Sequence, residues 1–213
     1  MSKNLLELVQ LKIEADRAIK NGQSLSINGE IGSYRSNYNQ WITNLVLIAG
    51  ATQKLVVTID SIGGNVDEIL IFEQELKKRG VRSVITFGDG QCYSAGLFAL
   101  VNLATRGNLI SRRSEIAFHG SGNQFAEFGQ KSKALHQTGF DSYNRPLLQN
   151  ISRTTGLAYK TLLEWDTHDQ HLSARQSFNL GIVDAIYEPT MSLATFITLN
   201  RKRDQTGELK RIA

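Results

Sequence analysis

The sequence predicts an α/β fold in which parallel strands alternate with helices. Two consecutive strand-turn-helix units indicate it, since residues 55–76 and 84–104 each run from an apolar stretch through a glycine-containing turn into a helix. A third apolar stretch, Ile116–Phe118, adds a strand after a short interval. Strands that are apolar on both faces are typical of parallel sheets covered by helices. With 213 residues, 41% hydrophobic content and no proline-rich linker, one domain is expected.

The N-terminal quarter is predicted to form two helices and a strand. Residues 3–20 form an amphipathic helix, because leucines and isoleucines recur among spread charges. Residues 24–31 alternate as a strand does, with a break at Asn28–Gly29. Residues 36–49 carry apolar side chains at spacings of three and four and end at Gly50, as a second helix would.

The two central units divide in the same way into strand, turn and helix. The parts are Leu55–Ile59, Ser61–Gly64 and residues 66–76 in the first unit, and Val84–Phe87, Gly88–Gln91 and residues 94–104 in the second. Gly80 ends the first helix, because glycine accepts the left-handed conformation common after a helix.

The C-terminal part is predicted to be mostly helical. A long helix over residues 131–155 is interrupted by Pro146, which we expect to kink or split it. The later elements are a helix Tyr159–Trp165, a polar turn Asp166–His171, a helix from a Ser173 cap to Gly181, and a strand Ile182–Tyr187. The chain divides into an N-terminal helix (1–22), a main domain (23–190), and a C-terminal helix with a basic tail (191–213).

Composition excludes several classes of protein. No apolar run is long enough to span a membrane and acids occur early in the chain, so a soluble, cytoplasmic protein is expected. Cys92 is the single cysteine, which excludes an intrachain disulfide and a multi-cysteine zinc site. Of the net charge of +4, five basic and two acidic residues place +3 in the last fourteen residues. Such a tail is more often solvated than a nucleic-acid site, so no nucleic-acid partner is expected.

Ser94 is the candidate nucleophile. It lies where a strand passes into a helix, and the unpaired N–H groups of a helix N-terminus favour developing negative charge. A serine there is equally often a simple helix cap. A nucleophilic Cys92 is a weak alternative, because a lone cysteine is more often a small buried hydrophobe.

A nucleophilic serine needs a base and an orienting acid. His119 is the better base, because it ends the third strand at the edge where parallel sheets place ligands. His136 is expected to be a surface or packing residue. His168 and His171 in the polar turn are either a metal pair or solvated loop residues, and the absence of a nearby cysteine favours solvation. The candidate acids are Asp60, Asp166, Asp169 and Asp184.

Five segments of the chain resemble, in order, the proteolytic subunit of the Clp protease family. They are Gly29–Ile31, Ile59–Gly64, Gly90–Gly96, Phe118–His119, and Asp169–Ala174 together with Gly181–Asp184. The chain departs from the family pattern at Ile62, where the family has proline, and at Gly120–Gln124, where it has Gln-Pro-Leu-Gly-Gly. The opening at Gly29–Gly32 is also similar to phage head-maturation proteases of the Clp-like group.

The resemblance implies a serine endopeptidase with Ser94 as nucleophile, His119 as general base and Asp169 as orienting acid, Asp166 being second choice. It implies an oxyanion hole from the N–H groups of Gly64 and Ala95, and a ClpP/crotonase-like β-α superhelix with a protruding long helix. It further implies a homo-oligomeric ring, a heptamer or a double ring, that cleaves peptides or unfolded proteins. We expect no metal and no cofactor in this chain. The resemblance implies that ATP is bound by a partner unfoldase.

Two other functions compete with this interpretation. One is a crotonase-fold enzyme that acts on an acyl-CoA and uses the same N–H pair for a thioester oxyanion. The other is an inactive assembly subunit, which the presence of all three triad residue types disfavours.

Overall fold

The computed structural model describes residues 3–32, 44, 53–118, 144–201, 208–209 and 212. Within them, seven strands form one sheet and seven helices pack around it. The strands are β1 (Ser24–Ile31), β2 (Lys54–Gly64), β3 (Ser83–Tyr93), β4 (Gly107–Ile110), β5 (Glu115–Ala117), β6 (His171–Ser173) and β7 (Ala185–Ile186). The helices are α1 (Leu5–Lys20), α2 (Val66–Lys78), α3 (Ala95–Asn102), α4 (Arg145–Thr155), α5 (Tyr159–Thr167), α6 (Ala174–Leu180) and α7 (Leu193–Asn200).

The sheet is parallel along its main path, which confirms the predicted α/β class. Its strand order is β1-β2-β3-β4-β7. β3 has two partners on the same side, since Ile85–Gly88 pairs with β4 and Gln91–Tyr93 pairs with β5. β6 then pairs antiparallel with β5 and is the one reversed strand among those described. The change of partner along β3 therefore brings β5 and β6 beside its last residues.

The predicted turns at Ser61–Gly64 and Gly88–Gln91 are wrong, because β2 continues to Gly64 and β3 continues to Tyr93. Gly90 has φ +142°, and a Cβ there would lie 2.2 Å from a carboxylate oxygen of Asp60. That carboxylate instead accepts a hydrogen bond from the N–H of Gln91 at 2.9 Å. The glycines thus let the strand bend towards a new partner without reversing.

Several predicted elements are confirmed to within a few residues, namely α1, β1, α2, α3, α5 and α6. The Asn28–Gly29 break is a shift in register between β1 and β2 within one strand. Pro146 lies in the first turn of α4, where backbone N–H groups have no partner within the helix and proline is tolerated. Within the described residues, Pro146 therefore lies at the start of a helix. The predicted helix 36–49 lies outside the described residues except for Asn44, as do 119–143 and most of the tail. The division at residues 22 and 190 stays a prediction.

Apolar side chains fill both faces of the sheet. Helices α2 to α6 cover one face, while α1 and α7 cover the other, where Tyr187 and Phe196 are fully buried. Polar contacts fix α1 there, because Arg106 donates two hydrogen bonds to Glu14 and Tyr187 donates one to Asp16. None of the described helices is both long and apolar enough to cross a membrane.

Candidate active site

Ser94 occupies a sharp turn between β3 and α3. Its backbone has φ +50° and ψ −117°, a conformation that non-glycine residues rarely adopt and that costs about 1–3 kcal/mol. The turn is held from both sides, because the Ser94 N–H donates to the Ala117 carbonyl at 3.2 Å and its carbonyl accepts from the Phe98 N–H at 3.0 Å. The Ser94 side chain makes no capping hydrogen bond, so the interpretation of Ser94 as a simple helix cap does not hold.

Gly63 and Gly64 end β2, and this segment, called the glycine turn because it leads into α2, lies directly against Ser94. A Cβ built at Gly63 would be 2.7 Å from the Ser94 Cβ and 3.3 Å from the Ala95 nitrogen. A Cβ at Gly64 would be 2.1 Å from the Ile31 carbonyl oxygen. Both glycines also have positive φ, at +107° and +132°. Only glycine therefore lets this turn approach the serine and β1 together.

The buried hydroxyl of Ser61 fixes that turn. It donates to the Gly29 carbonyl at 2.6 Å and accepts from the Gly63 N–H at 3.1 Å. The Ser61 side chain thus joins the glycine turn to β1. It also occupies the N–H of Gly63, one of the two glycine N–H groups of the turn. Neither of these contacts involves the N–H of Gly64.

A narrow cleft opens beside Ser94 and Ala95. Apolar side chains form most of its wall, namely Val66, Leu97, Phe98, Ala117, Phe118 and Leu147. Asn144 and Asp166 add polar groups to it. Asp166 is 5% exposed, and its Oδ2 accepts a hydrogen bond from the Asn144 Nδ2 at 3.2 Å. The second-choice acid is therefore a buried carboxylate in the same cleft as the serine.

Asp169 lies in the turn between α5 and β6. It is half-buried and has φ +53°, which aspartate tolerates better than most residues. The next residue, Gln170, accepts a backbone hydrogen bond from Phe118 at 3.0 Å. The Asp169 turn is thus attached to the end of β5, although Asp169 is not among the described residues that line the cleft. His119, which follows Phe118, lies outside the described residues.

Sequence reasoning missed a cluster of Tyr93, Glu115 and His171. The Tyr93 hydroxyl donates to one Glu115 carboxylate oxygen, and the other lies 3.3 Å from the His171 Nδ1. The Tyr93 hydrogen bond, followed by His171, lowers the pKa of Glu115, while burial and that carboxylate raise the pKa of Tyr93. No sequence motif singles out Glu115, and the sequence predicts a solvated loop position for His171.

The remaining candidate residues have structural explanations. Cys92 is fully buried, and burial raises the pKa of its thiol to about 12, so it is not a nucleophile at neutral pH. The His168 ring bonds the Glu164 carbonyl of its own helix at 2.8 Å. His136 lies outside the described residues. In the described ranges, no three His, Cys, Asp or Glu side chains cluster as metal ligands would.

The chain is similar to known proteins in both sequence and fold. The family model described as Clp protease matches residues 13–190. Among solved structures, the fold is similar to that of a ClpP1 mutant from Listeria monocytogenes, with a TM-score of 0.64 and 18% sequence identity. That match covers 82% of this chain and 96% of the other. No curated protein matches the sequence.

Proposed function

This chain belongs to the Clp protease family, and on that premise we propose that it is a serine endopeptidase that cleaves peptide bonds through an acyl-enzyme on Ser94. The observation that carries the proposal is the backbone of Ser94, with φ +50° and a side chain that makes no capping hydrogen bond. A fold keeps such strain only where the surrounding contacts enforce it, and such positions are concentrated in active sites.

The oxyanion hole is proposed to consist of the N–H groups of Gly64 and Ala95. Ala95 starts α3, where the first N–H groups of a helix have no partner within the helix. Support for Gly64 comes from the close approach of its turn, since the neighbouring Gly63 leaves no room for a Cβ beside Ser94. Two N–H groups held rigidly near the nucleophile stabilise the negative oxygen that forms when the carbonyl is attacked.

His119 is proposed as the general base and Asp169 as its orienting acid. β5 and β6 pair antiparallel with Ala117 opposite His171, and the Phe118 N–H bonds the Gln170 carbonyl. In the sequence, His119 directly follows Phe118 and Asp169 directly precedes Gln170. Asp166 stays the second candidate for the acid, because it lines the cleft beside Ser94.

The reaction then follows in two halves. The Ser94 Oγ attacks the peptide carbonyl carbon while His119 takes the hydroxyl proton, and the oxyanion is held by the two N–H groups. The C–N bond breaks as His119 returns that proton to the leaving amine, which leaves an ester on Ser94. Water, deprotonated by His119, then attacks the ester carbonyl carbon. The C–O bond to Ser94 breaks as His119 returns that proton to the Ser94 Oγ, which restores the serine and releases the new carboxylic acid.

We further propose that the chain works as a homo-oligomeric ring, a heptamer or a double ring, with an ATP-dependent unfoldase that supplies unfolded protein. Family membership supports this assembly. Native mass spectrometry of the purified chain tests it, and a monomer at micromolar concentration would contradict it.

Hydrolysis of fluorescently labelled unfolded casein and of a short fluorogenic peptide tests the activity. Wild type is expected to cleave at least one of them, and Ser94→Ala and His119→Ala to lose about 10³-fold or more in kcat. Asp169→Asn should lose more activity than Asp166→Asn if Asp169 is the orienting acid. Peptide cleavage that survives Ser94→Ala, or turnover of acyl-CoA without peptide turnover, would contradict the proposal.

A further inference from the structure

The Tyr93–Glu115–His171 cluster spans three adjacent strands. Tyr93 on β3 is paired with Ala117 on β5, and Ala117 is paired with His171 on β6. The Tyr93 and His171 rings meet edge to face above Ala117, with centroids 5.1 Å apart. Glu115 lies two residues before Ala117, on the same side of β5, and its two carboxylate oxygens contact the two rings separately.

Each end of this bridge is next to a proposed catalytic segment. Tyr93 directly precedes Ser94 in the chain, so its carbonyl belongs to the planar peptide unit that enters the strained turn. His171 follows Asp169 by two residues and starts β6. The strand between them, β5, is followed in the sequence by Phe118 and His119.

We propose that Glu115 is a positioning residue for the Ser94 nucleophile, because its carboxylate joins the Tyr93 hydroxyl to the His171 ring. The inference rests on the proposed peptidase function and adds to it a residue outside the triad. Glu115 is not among the described residues that line the cleft, and its carboxylate contacts Tyr93 and His171, so it acts on Ser94 through the backbone of Tyr93 and through β6.

The Tyr93–Glu115–His171 cluster is partly exposed, so a positioning role for it can be distinguished from a role in global stability. The Glu115 and His171 side chains are 43% and 48% exposed, so their loss removes little buried area and little global stability. The Ser94 turn, in contrast, holds a conformation that its surroundings must enforce. Loss of the bridge therefore changes the alignment of Ser94 more than the melting temperature.

The test uses the full-length protein in its native oligomer, with Glu115→Ala, Glu115→Gln and Tyr93→Phe. Glu73→Gln is the control, because Glu73 also makes an exposed ion pair, with Lys77 on α2. Two quantities are measured for each variant: the rate at which a fluorophosphonate labels Ser94, and kcat and KM for the fluorogenic peptide. Melting temperature is recorded alongside.

Glu115→Ala is expected to slow labelling and kcat by about tenfold, with KM and melting temperature little changed, because misplacement of a reacting atom by about 1 Å can cost about 10²-fold in rate and a smaller displacement costs less. Glu115→Gln should recover part of the rate, because its amide oxygen still accepts from Tyr93. Tyr93→Phe should be slow like Glu115→Ala, and the double variant Tyr93→Phe/Glu115→Ala no slower than either alone. Glu73→Gln should match wild type.

Two results would overturn the inference while the proposed function stands. One is wild-type labelling and kcat in Glu115→Ala. The other is a rate loss that follows a lowered melting temperature or a raised KM, since either indicates a merely structural role. Failure of wild type itself to label at Ser94 would instead overturn the proposed function, and this inference with it.

Discussion

Replacement of Gly63 by alanine tests how closely the glycine turn approaches the nucleophile. The added Cβ would meet the Ser94 Cβ at 2.7 Å and the Tyr93 carbonyl oxygen at 2.9 Å, and a backbone atom cannot rotate away. The variant therefore combines backbone strain of about 1–3 kcal/mol at φ +107° with overpacking of about 1–3 kcal/mol. We expect roughly 2–6 kcal/mol of lost stability.

Gly80→Ala is the matched control for that experiment. Gly80 also has positive φ, at +72°, but a Cβ there would have no neighbour within 4 Å. It should lose only the cost of a left-handed backbone, about 1–2 kcal/mol. Denaturant unfolding compares the two stabilities, and fluorophosphonate labelling compares the two sites.

The two variants should differ most in labelling. Gly63→Ala should label Ser94 about 10²-fold more slowly, because the turn that is proposed to hold the oxyanion must move, while Gly80→Ala labels at the wild-type rate. The reasoning would be refuted if Gly63→Ala labelled like wild type and unfolded like Gly80→Ala.

Three further predictions concern single side chains. Cys92 should resist a disulfide reagent until denaturant is added, because burial raises its thiol pKa; rapid native reaction would contradict this. Ser61→Ala should cost about 1–3 kcal/mol and lower kcat, since it removes one buried and one partly buried hydrogen bond; unchanged unfolding and kcat would count against it. The hydrogen bond from Arg106 lowers the pKa of Glu14, so its contribution exists above the unfolded-state pKa and is lost as pH falls through the folded one. Glu14→Gln should therefore lower stability by up to about 1 kcal/mol in neutral buffer but not in strong acid, as thermal melts would show.

The helices and long strands were predictable because burial leaves a periodic pattern. α6 shows this at both ends, where Ser173 forms a capping box with Gln176 and Gly181 takes the left-handed conformation. The sequence does not predict β4 and β6, because strands this short leave no periodic pattern. Each is four residues or fewer, and the polar ends of β6 give no alternation that exceeds chance. Long-range pairing with β5, which sequence periodicity does not contain, makes β6 a strand.

The sequence could predict which residue types take part in the site, because few side chains can act as nucleophile, base or acid. It could not predict the geometry in which the fold holds them. A serine before an apolar helix suggested Ser94, but its φ of +50° and its missing cap hydrogen bond are properties of the folded chain. Asp166 and Asp169 are equivalent as sequence letters, whereas the fold buries one in the cleft and leaves the other half-buried in a turn. Glu115 is a candidate only in the folded chain, because the pairing of β3, β5 and β6 brings it beside Tyr93 and His171.

The most direct test of the central claim is to locate a fluorophosphonate adduct by mass spectrometry in wild type, Ser94→Ala and His119→Ala. The account predicts one adduct per chain, on Ser94, that is absent from Ser94→Ala and strongly reduced in His119→Ala. Glu73→Gln serves as a control that should label fully. An adduct on another residue, or no adduct on the native oligomer, would contradict the claim that this fold activates Ser94 as a nucleophile.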